Sequence, residues 1–489
     1  MDIDNPIKRQ EERSLKVIPI MVSFMIAAFI GTFNETALNV ALSTLMEVFR
    51  VNEATIQWLT TGYLLTQGIL VPLSGLLIQR FSTRKLFITA VSFSIVGACI
   101  GGLAGNFEIL LIARIFQAVG TALLLPLMFN TVLIIFPTEK RGAAMGLVTL
   151  VFTAAPAVGP TISGLLIAKL SWHWIFWLSF IFQLIALIFG VNYMQNVSKI
   201  TKPRIDLLSL ILSTIGFGSL VFSLSKSGES GWDSLIVIIP LIIGIVALVL
   251  FVMRQLIMKK PLIDVRAFKH PMFIVATLLI FISKMIILSS MLLLPMYLIR
   301  VLGMSTLSAG LVLLPGGLVF ALLSPVVGRL FDKLGPKLLV IPGLILSVII
   351  LWFFTGITIS SPIALIVILH CFLMIGIVMV WMPAQTNGLN QLPPQKYPDG
   401  TAIMNTMLQI AGASGMAISV SVMTAGVTNF MEKMKVTSDV HSQSLALAAG
   451  IQDAFMFVFS VALVGLIIGL FIRQVKVKKD KREKLRSQR

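Results

Sequence analysis

The sequence predicts an all-α polytopic membrane protein with fourteen transmembrane helices, and its composition is the first reason. Its 489 residues are 57% hydrophobic and 12% charged, against about 25% charged in a typical soluble domain. A helix that crosses a bilayer needs about 20 residues, so the apolar residues suffice for roughly fourteen spans. The apolar runs are continuous rather than alternating with a period of two, which favours helices over a barrel. These properties exclude a soluble enzyme.

Apolar runs bounded by charged residues, Pro and Gly predict the individual helices. The first run begins after Lys16 and is too long for the core of a signal peptide, so it is retained as a helix. The predicted helices 1 to 14 cover residues 17–42, 55–78, 86–105, 109–136, 142–168, 174–195, 206–224, 234–253, 272–299, 306–328, 338–359, 362–385, 401–427 and 453–472.

Lys and Arg residues are distributed unevenly between the two predicted sides of the membrane. With a cytoplasmic N-terminus, 30 of the 38 fall in inside segments and about six fall outside, while Arg114 and Lys284 lie within spans. This positive-inside asymmetry accounts for most of the net charge of +18 without any nucleic-acid partner. We therefore expect a bacterial cytoplasmic membrane protein with both termini cytoplasmic and a basic tail near anionic headgroups.

Two loop segments of the chain resemble each other. Residues 75–84 join helices 2 and 3, and residues 328–337 join helices 10 and 11. The aligned pairs are Gly75 with Gly328, Arg80 with Lys333, and Arg84 with Lys337. Helices 9 to 14 are thus predicted to repeat helices 1 to 6, and such repeats are typical of secondary transporters with a site between the halves. The predicted organisation is a tail (1–16), a six-helix bundle (17–196), two inserted helices (197–262), a second six-helix bundle (263–473) and a basic tail (474–489).

Both loops resemble the loop motif of the major facilitator superfamily, and three further motifs agree. Arg114, Gln117 and Gly120 resemble the helix-4 motif of that family, whose Arg is implicated in proton transfer. Residues 155–164 are similar to the Gly-Pro motif of its antiporters, and residues 34–42 to the helix-1 motif of its fourteen-helix drug/proton antiporters. The conformational motif residues implied by this resemblance are Gly75, Arg80, Arg84, Gly159, Pro160, Gly164, Gly328, Asp332 and Lys333.

The chain departs from the family pattern in two places. The first loop has Gln79 where the family usually has Asp, whereas the second loop keeps its acid as Asp332. In helix 1 the family Asp aligns with Asn34, and the acid is displaced to Glu35. A shift of one position along a helix changes the direction of the side chain by about 100°, so Glu35 is expected to face differently from the family Asp.

Charged residues inside the predicted spans are candidate functional groups, because each is costly in a bilayer unless it is paired or hydrated. Glu35 and Arg114 lie at similar depth, so they either form a pair or share a proton-sensitive network; a permanent salt bridge is the structural alternative. Lys284 lies in the middle of helix 9 with no acid at helical spacing, which favours a position facing a cavity. His370 in helix 12 is left unassigned.

Polar side chains recur on one face of helix 2, at Thr60, Tyr63 and Gln67, and of helix 13, at Asn405 and Gln409. Each stripe either lines a cavity or forms interhelical hydrogen bonds. The predicted substrate cavity consists of Asn34, Tyr63, Gln67, Gln117, Lys284, Asn405 and Gln409.

The resemblance implies a proton-coupled antiporter that exports amphiphilic drugs by alternating access, with Glu35 and Arg114 coupling proton movement. We expect no cofactor, because the chain has no GxxxxGK[ST] motif, and no metal site, because Cys99 and Cys371 are isolated in apolar runs. The expected partners are amphiphilic small molecules, protons and the lipid bilayer, with a monomer as the functional unit and no enzymatic activity. A lipid exporter on the same scaffold, an uptake symporter and a non-transporting sensor are the alternatives.

Overall fold

The computed structural model describes residues 17–51, 53–198, 200–201, 206–258, 261–434 and 440–475, and this part of the chain is helical without strands. The predicted tails, 1–16 and most of 474–489, lie outside the described residues. Fourteen long helices follow the predicted order: α1 (Val17–Ala37), α2 (Trp58–Arg80), α3 (Thr83–Gly102), α4 (Phe107–Ile135), α5 (Arg141–Lys169), α6 (His173–Tyr193), α7 (Leu207–Ser230), α8 (Leu235–Ile257), α9 (Pro271–Met296), α10 (Thr306–Leu334), α11 (Lys337–Phe354), α12 (Ile363–Asn390), α13 (Tyr397–Met434) and α14 (Val440–Gly469).

Thirteen of these helices are individually long and apolar enough to cross a membrane. The exception is α5, which is bent by 40° between Pro156 and Thr161 and completes a fourteenth span when its two parts are taken together. Proline lacks the amide hydrogen that a helix needs, and it is a common cause of sharp kinks. The prediction of fourteen membrane helices is therefore confirmed.

Several predicted helix boundaries are wrong by five residues or more, and α7, α10 and α13 extend beyond their predicted ends to Ser230, Leu334 and Met434. Helix 1 was expected to reach residue 42, but α1 ends at Ala37, and a 3-10 turn (Leu38–Ala41) and a short helix (Leu42–Phe49) follow. The short helix ends where Arg50 adopts a left-handed backbone conformation with φ of 53°. Helix 14 was expected to begin at 453, but α14 begins at Val440, because its first three turns are less apolar than the membrane-spanning part yet continue the same helix.

The two six-helix bundles repeat one pattern of helix packing. In the first half, α1 packs on α4, α5 and α6, while α2 packs on α4, and α3 packs on α4 and α6. Adding eight to each number gives the contacts of the second half: α9 on α12, α13 and α14, α10 on α12, and α11 on α12 and α14. The bundles meet along two seams, α5 against α10 and α2 against α13.

The inserted helices α7 and α8 form a hairpin beside the α2–α13 seam. Helix α7 packs on both α2 and α13, so it contacts both bundles, whereas α8 packs mainly on α7. The outer face of α8 is strongly apolar and exposed, as a lipid-facing surface should be. The indole N–H of Trp232, in the turn between α7 and α8, donates a hydrogen bond to the Ser421 hydroxyl on α13.

An ion pair joins the other end of this hairpin. Asp206 accepts two hydrogen bonds from the guanidinium of Arg254, at 2.7 and 2.8 Å, and it also caps α7 through the amide of Ser209. The hydrogen bonds from Arg254 hold the pKa of the Asp206 carboxyl well below its usual range. Since the pKa in the folded protein is depressed, the pair stabilises the fold above the ordinary carboxyl range and is lost only in strong acid.

Asp206→Asn is expected to lower the melting temperature by no more than about 2 °C, because a partly exposed ion pair is screened by solvent. The difference from wild type should stay constant between pH 5 and pH 8, since Asp206 remains ionised throughout that range. Thermal unfolding in detergent at several pH values measures this difference. A difference in melting temperature that is smaller at pH 5 than at pH 8 would contradict the conclusion that Asp206 stays ionised in this range.

Candidate functional site

We call the end of the molecule that carries the α2–α3 and α10–α11 loops the motif side. Glu35 lies in the last turn of α1, towards the opposite side, and its side chain is half-buried. Lys284 on α9 and Arg114 on α4 are both close enough to act on its carboxylate electrostatically. Among the described residues, no Lys, Arg or His nitrogen lies within 4.0 Å of that carboxylate. Glu35 is thus an acid between two cations, one from each bundle, without a fixed ion pair.

Arg114 is held by polar groups of the first bundle. Arg114 is 1% exposed, and its guanidinium donates hydrogen bonds to the backbone oxygens of Asn34 and Leu59 at 2.8 and 3.2 Å, and to the Gln117 side chain at 3.2 Å. It also stacks 4.2 Å from the centre of the Tyr63 ring. Its Nη2 atom has no hydrogen-bond partner among the described residues. Glu35 and Arg114 therefore belong to one network, and a direct salt bridge between them is not formed in this conformation.

The polar stripe on α2 connects this network to the second bundle. The hydroxyl of Tyr63 bonds to the Gly31 carbonyl and to the Thr121 hydroxyl, at 3.0 and 2.9 Å. One helical turn further along, the Gln67 side-chain oxygen accepts a hydrogen bond of 2.9 Å from Gln409 on α13. This bond spans the centre of the α2–α13 seam.

Lys284 faces the first bundle rather than lipid. Its Nζ atom lies 5.4 Å from the centre of the Phe152 ring on α5, and its side chain is half-buried. Two other predicted cavity residues point elsewhere. The Asn34 side chain accepts a 2.5 Å hydrogen bond from Ser179 on α6, and Asn405 bonds to the backbone of its own helix at 2.8 Å.

Asp332 closes one seam at the motif side. Its two carboxylate oxygens each accept a 2.9 Å hydrogen bond, from the backbone amides of Gly142 and Ala143 in the first turn of α5. The helices are so close here that a side chain on Gly142 or Gly328 would overlap the backbone of the other helix. A carboxylate at a helix N-terminus is stabilised by the free amides and by the helix dipole.

Asp332→Asn is expected to raise the fraction of molecules that are open at the motif side about five-fold, since the charge–dipole interaction contributes roughly 1 kcal/mol. Substrate affinity should be unchanged, because Asp332 lies far from the central network. Spin-label distances between the bundles measure the populations. Arg329→Gln, at an exposed position on the same helix, is the matched control, and an unaltered distance distribution in Asp332→Asn would reject this role.

The other seam closes through residues that the sequence did not single out. Gln79 donates a 3.0 Å hydrogen bond to Asp399 in the first turn of α13. Arg141, at the start of α5, donates to Asn390 and Tyr397 of the second bundle at 2.8 and 2.9 Å. Both Asp399 and Arg141 lie just outside the predicted spans, and their closeness to a span end is the one signal that would have found them.

The remaining motif residues lie within or beside these seams. A side chain at Gly75 would contact α13, and one at Gly159 would lie 2.7 Å from the Thr36 hydroxyl on α1, so both positions allow close helix packing. Arg84 donates to the Val191 carbonyl at 2.7 Å and thus ties α3 to α6. Arg80 and Gly164 are half-buried and Lys333 is exposed, while the side chain of Pro160 lies outside the described part of the structure.

The hydrogen bonds that the structure describes between the two bundles lie at the centre or at the motif side. They join Gln67 with Gln409, Gln79 with Asp399, Arg141 with Asn390 and Tyr397, and Asp332 with Gly142 and Ala143. The structure is therefore closed at the motif side.

Two pseudo-symmetric bundles with a charged network at their seam define a membrane transporter of the alternating-access class. The family model for the Major Facilitator Superfamily matches residues 24–416, and the chain belongs to that family. The chain is 58% identical over 464 residues to the lincomycin resistance protein LmrB of Listeria monocytogenes, covering 95% of this chain and 98% of the relative. The LmrB protein of Bacillus subtilis is also 58% identical, with 94% and 97% covered.

More distant relatives include multidrug exporters. The multidrug export protein EmrB of Haemophilus influenzae is 26% identical, over 82% of this chain and 80% of that protein. Among solved structures, the human organic anion transporter MFSD10 (TETRAN) matches with a TM-score of 0.64 at 13% identity, covering 93% of this chain and 99% of that one. That likeness shows the fold, and the molecule is a multi-pass membrane protein.

Proposed function

We propose that this protein exports amphiphilic drugs, lincomycin among them, from the bacterial cytoplasm in exchange for protons. Drug export is supported by the similarity to the lincomycin resistance protein LmrB and to the multidrug export protein EmrB. The observation that carries proton exchange is the position of Glu35, an acid between Arg114 of its own bundle and Lys284 of the other. In this proposal both termini and the motif side are cytoplasmic, in line with the distribution of Lys and Arg, and the monomer is the functional unit.

The proposed cycle follows from electrostatics at the seam. Ionised Glu35 attracts Lys284 across the two bundles, and a proton arriving from outside removes that attraction. The change in charge favours the return to the conformation that is open to the cytoplasm, where drug is loaded. Drug binding there promotes loss of the proton, so that drug and proton move in opposite directions.

Transport in proteoliposomes tests this function. With purified protein and an imposed pH gradient, we expect labelled lincomycin to move against its concentration, and a proton flux to follow each addition of drug. ATP without a gradient should drive no movement. A panel containing labelled phospholipid tests the alternative of a lipid exporter on the same scaffold. Gradient-driven movement of lipid but not of drug would overturn the proposal.

A further inference from the structure

A buried carboxylate, Asp399, lies at the motif-side end of the α2–α13 seam. It is the third residue of α13, and it is 6% exposed. Its described side-chain partner is the neutral amide of Gln79, whose Nε2 donates a hydrogen bond of 3.0 Å to Oδ1. Among the described residues, no Lys or Arg nitrogen lies within 4.0 Å of this carboxylate. A buried carboxylate without a cation is costly, and binding a proton removes that cost.

The charged groups that the structure describes around Asp399 have other partners. Lys396, in the turn before α13, pairs with Asp264 of the α8–α9 linker at 2.9 Å, so these two charges compensate each other. On the α5 side, Arg141 is committed to the two polar side chains of the second bundle described above. Arg80, next to Gln79 on α2, is half-buried and has an interaction of its own.

The two motif-side carboxylates differ in the chemistry of their partners. Asp332 faces two backbone amides that only donate, so a proton on Asp332 would displace a hydrogen bond. Asp399 faces the backbone amide of Asp264 and, in addition, the side-chain amide of Gln79, which donates through nitrogen and accepts through oxygen. After a flip of the Gln79 amide, a protonated Asp399 donates to Oε1, and the contact between the bundles persists. The closed seam therefore accommodates Asp399 in either protonation state.

Polar side chains line the seam between the central network and Asp399. On α2, Gln67 and Gln79 lie 12 residues apart, and each forms a hydrogen bond with α13. On α13, Gln409 lies ten residues beyond Asp399, and the side chains at both ends of that interval bond across to α2. Between these two bonds, α13 carries the buried polar side chain of Asn405, which bonds to the backbone of its own helix.

We propose that Asp399 is a second proton-binding group of the transport cycle, positioned at the exit of the seam. This inference rests on the proposed proton exchange. While the motif side is closed, Asp399 holds a proton and keeps its hydrogen bond to Gln79. When the seam opens, the two side chains separate, the carboxyl becomes hydrated, and it releases the proton to water as the carboxylate forms.

The principal test measures how pH controls the motif side, independently of transport. Spin labels at two exposed positions, Lys85→Cys on α3 and Lys337→Cys on α11, in a background lacking Cys99 and Cys371, report the distance between the bundles. In the Glu35→Gln background, we expect the ratio of open to closed molecules to change at least three-fold between pH 5.5 and 8.5. Adding Asp399→Asn should make that ratio independent of pH.

Asparagine is an informative substitution for Asp399, because its side-chain oxygen still accepts a hydrogen bond from Gln79 but binds no proton between pH 5.5 and 8.5. Gln79→Leu is the matched control, since it removes the contact and leaves the acid. It should shift the open fraction at every pH while keeping the pH response. If Asp399→Asn behaves like Gln79→Leu, or if Glu35→Gln alone removes the pH response, Asp399 is only a structural contact and the inference is overturned.

A transport measurement separates this inference from the proposed function. In proteoliposomes, Asp399→Asn should lower the number of protons moved per drug molecule, about two-fold if each acid carries one. Absence of any proton movement in the wild type would overturn the proposed exchange, and the distance measurement would still decide whether Asp399 titrates. An unchanged proton-to-drug ratio in Asp399→Asn, with normal exchange in the wild type, would overturn the inference alone.

Discussion

Glu35→Gln is expected to abolish drug-induced proton release while leaving the protein folded and able to bind drug. Glutamine fills the same volume and is permanently neutral, so it resembles the protonated acid and cannot exchange a proton. Folding should survive, because Glu35 makes no ion pair within 4.0 Å among the described residues and the nearby Arg114 is held by other groups. The variant should still equilibrate drug down its gradient, since both end states remain accessible without charge on the acid.

The measurement is the pH change in a weakly buffered detergent solution after addition of drug, compared with drug binding in the same sample. Glu47→Gln is a suitable control, because Glu47 is an exposed acid on the short helix that follows α1. Normal proton release from Glu35→Gln would move the assignment to another acid. Asp453 on α14 is an exposed residue in the interior of its helix and not at its start, which makes it a weaker candidate.

The sequence was sufficient to predict the membrane helices and their repeated packing, because both depend on apolar runs that are local in the chain. The bilayer requires each span to satisfy its own backbone groups, so the positions of the runs determine the helices. The loop repeat at Gly75 and Gly328 set the register, and the contacts of α1 to α6 recur in α9 to α14 accordingly. The ends were less predictable, since α14 begins 13 residues before its predicted start.

The contacts between the bundles were not predictable from one sequence. Gln79 departed from the family pattern, and nothing local indicated that its partner would be Asp399, 320 residues away. The polar stripe containing Gln67 was compatible with a cavity wall or with interhelical hydrogen bonds, and in this conformation it makes a hydrogen bond across the seam. Such contacts depend on the conformational state, and a periodic pattern carries no information about state.

Lys284→Ala is expected to weaken transport of anionic and zwitterionic compounds roughly ten-fold or more, because a charged hydrogen bond in a poorly solvated site contributes about 1.5–3 kcal/mol. Monocationic compounds should be affected less. The reason is the charge balance of the site, where the single acid Glu35 lies near the two bases Arg114 and Lys284. Lys284 also faces the first bundle across the seam, near Phe152, where it is available to a bound substrate.

The same balance predicts that dications are poor substrates. A dication would need a second carboxylate within the site, and the acids of the second bundle that the structure describes at its seams, Asp332 and Asp399, both lie at the motif side. Initial transport rates for matched neutral, monocationic, dicationic and anionic amphiphiles measure the effect. Lys284→Arg, which keeps the charge, should retain most of the anion transport, and Lys337→Ala, at an exposed position, should behave as wild type. Strong transport of dications by the wild type that Lys284→Ala leaves unchanged would show that these three charges do not select the substrate.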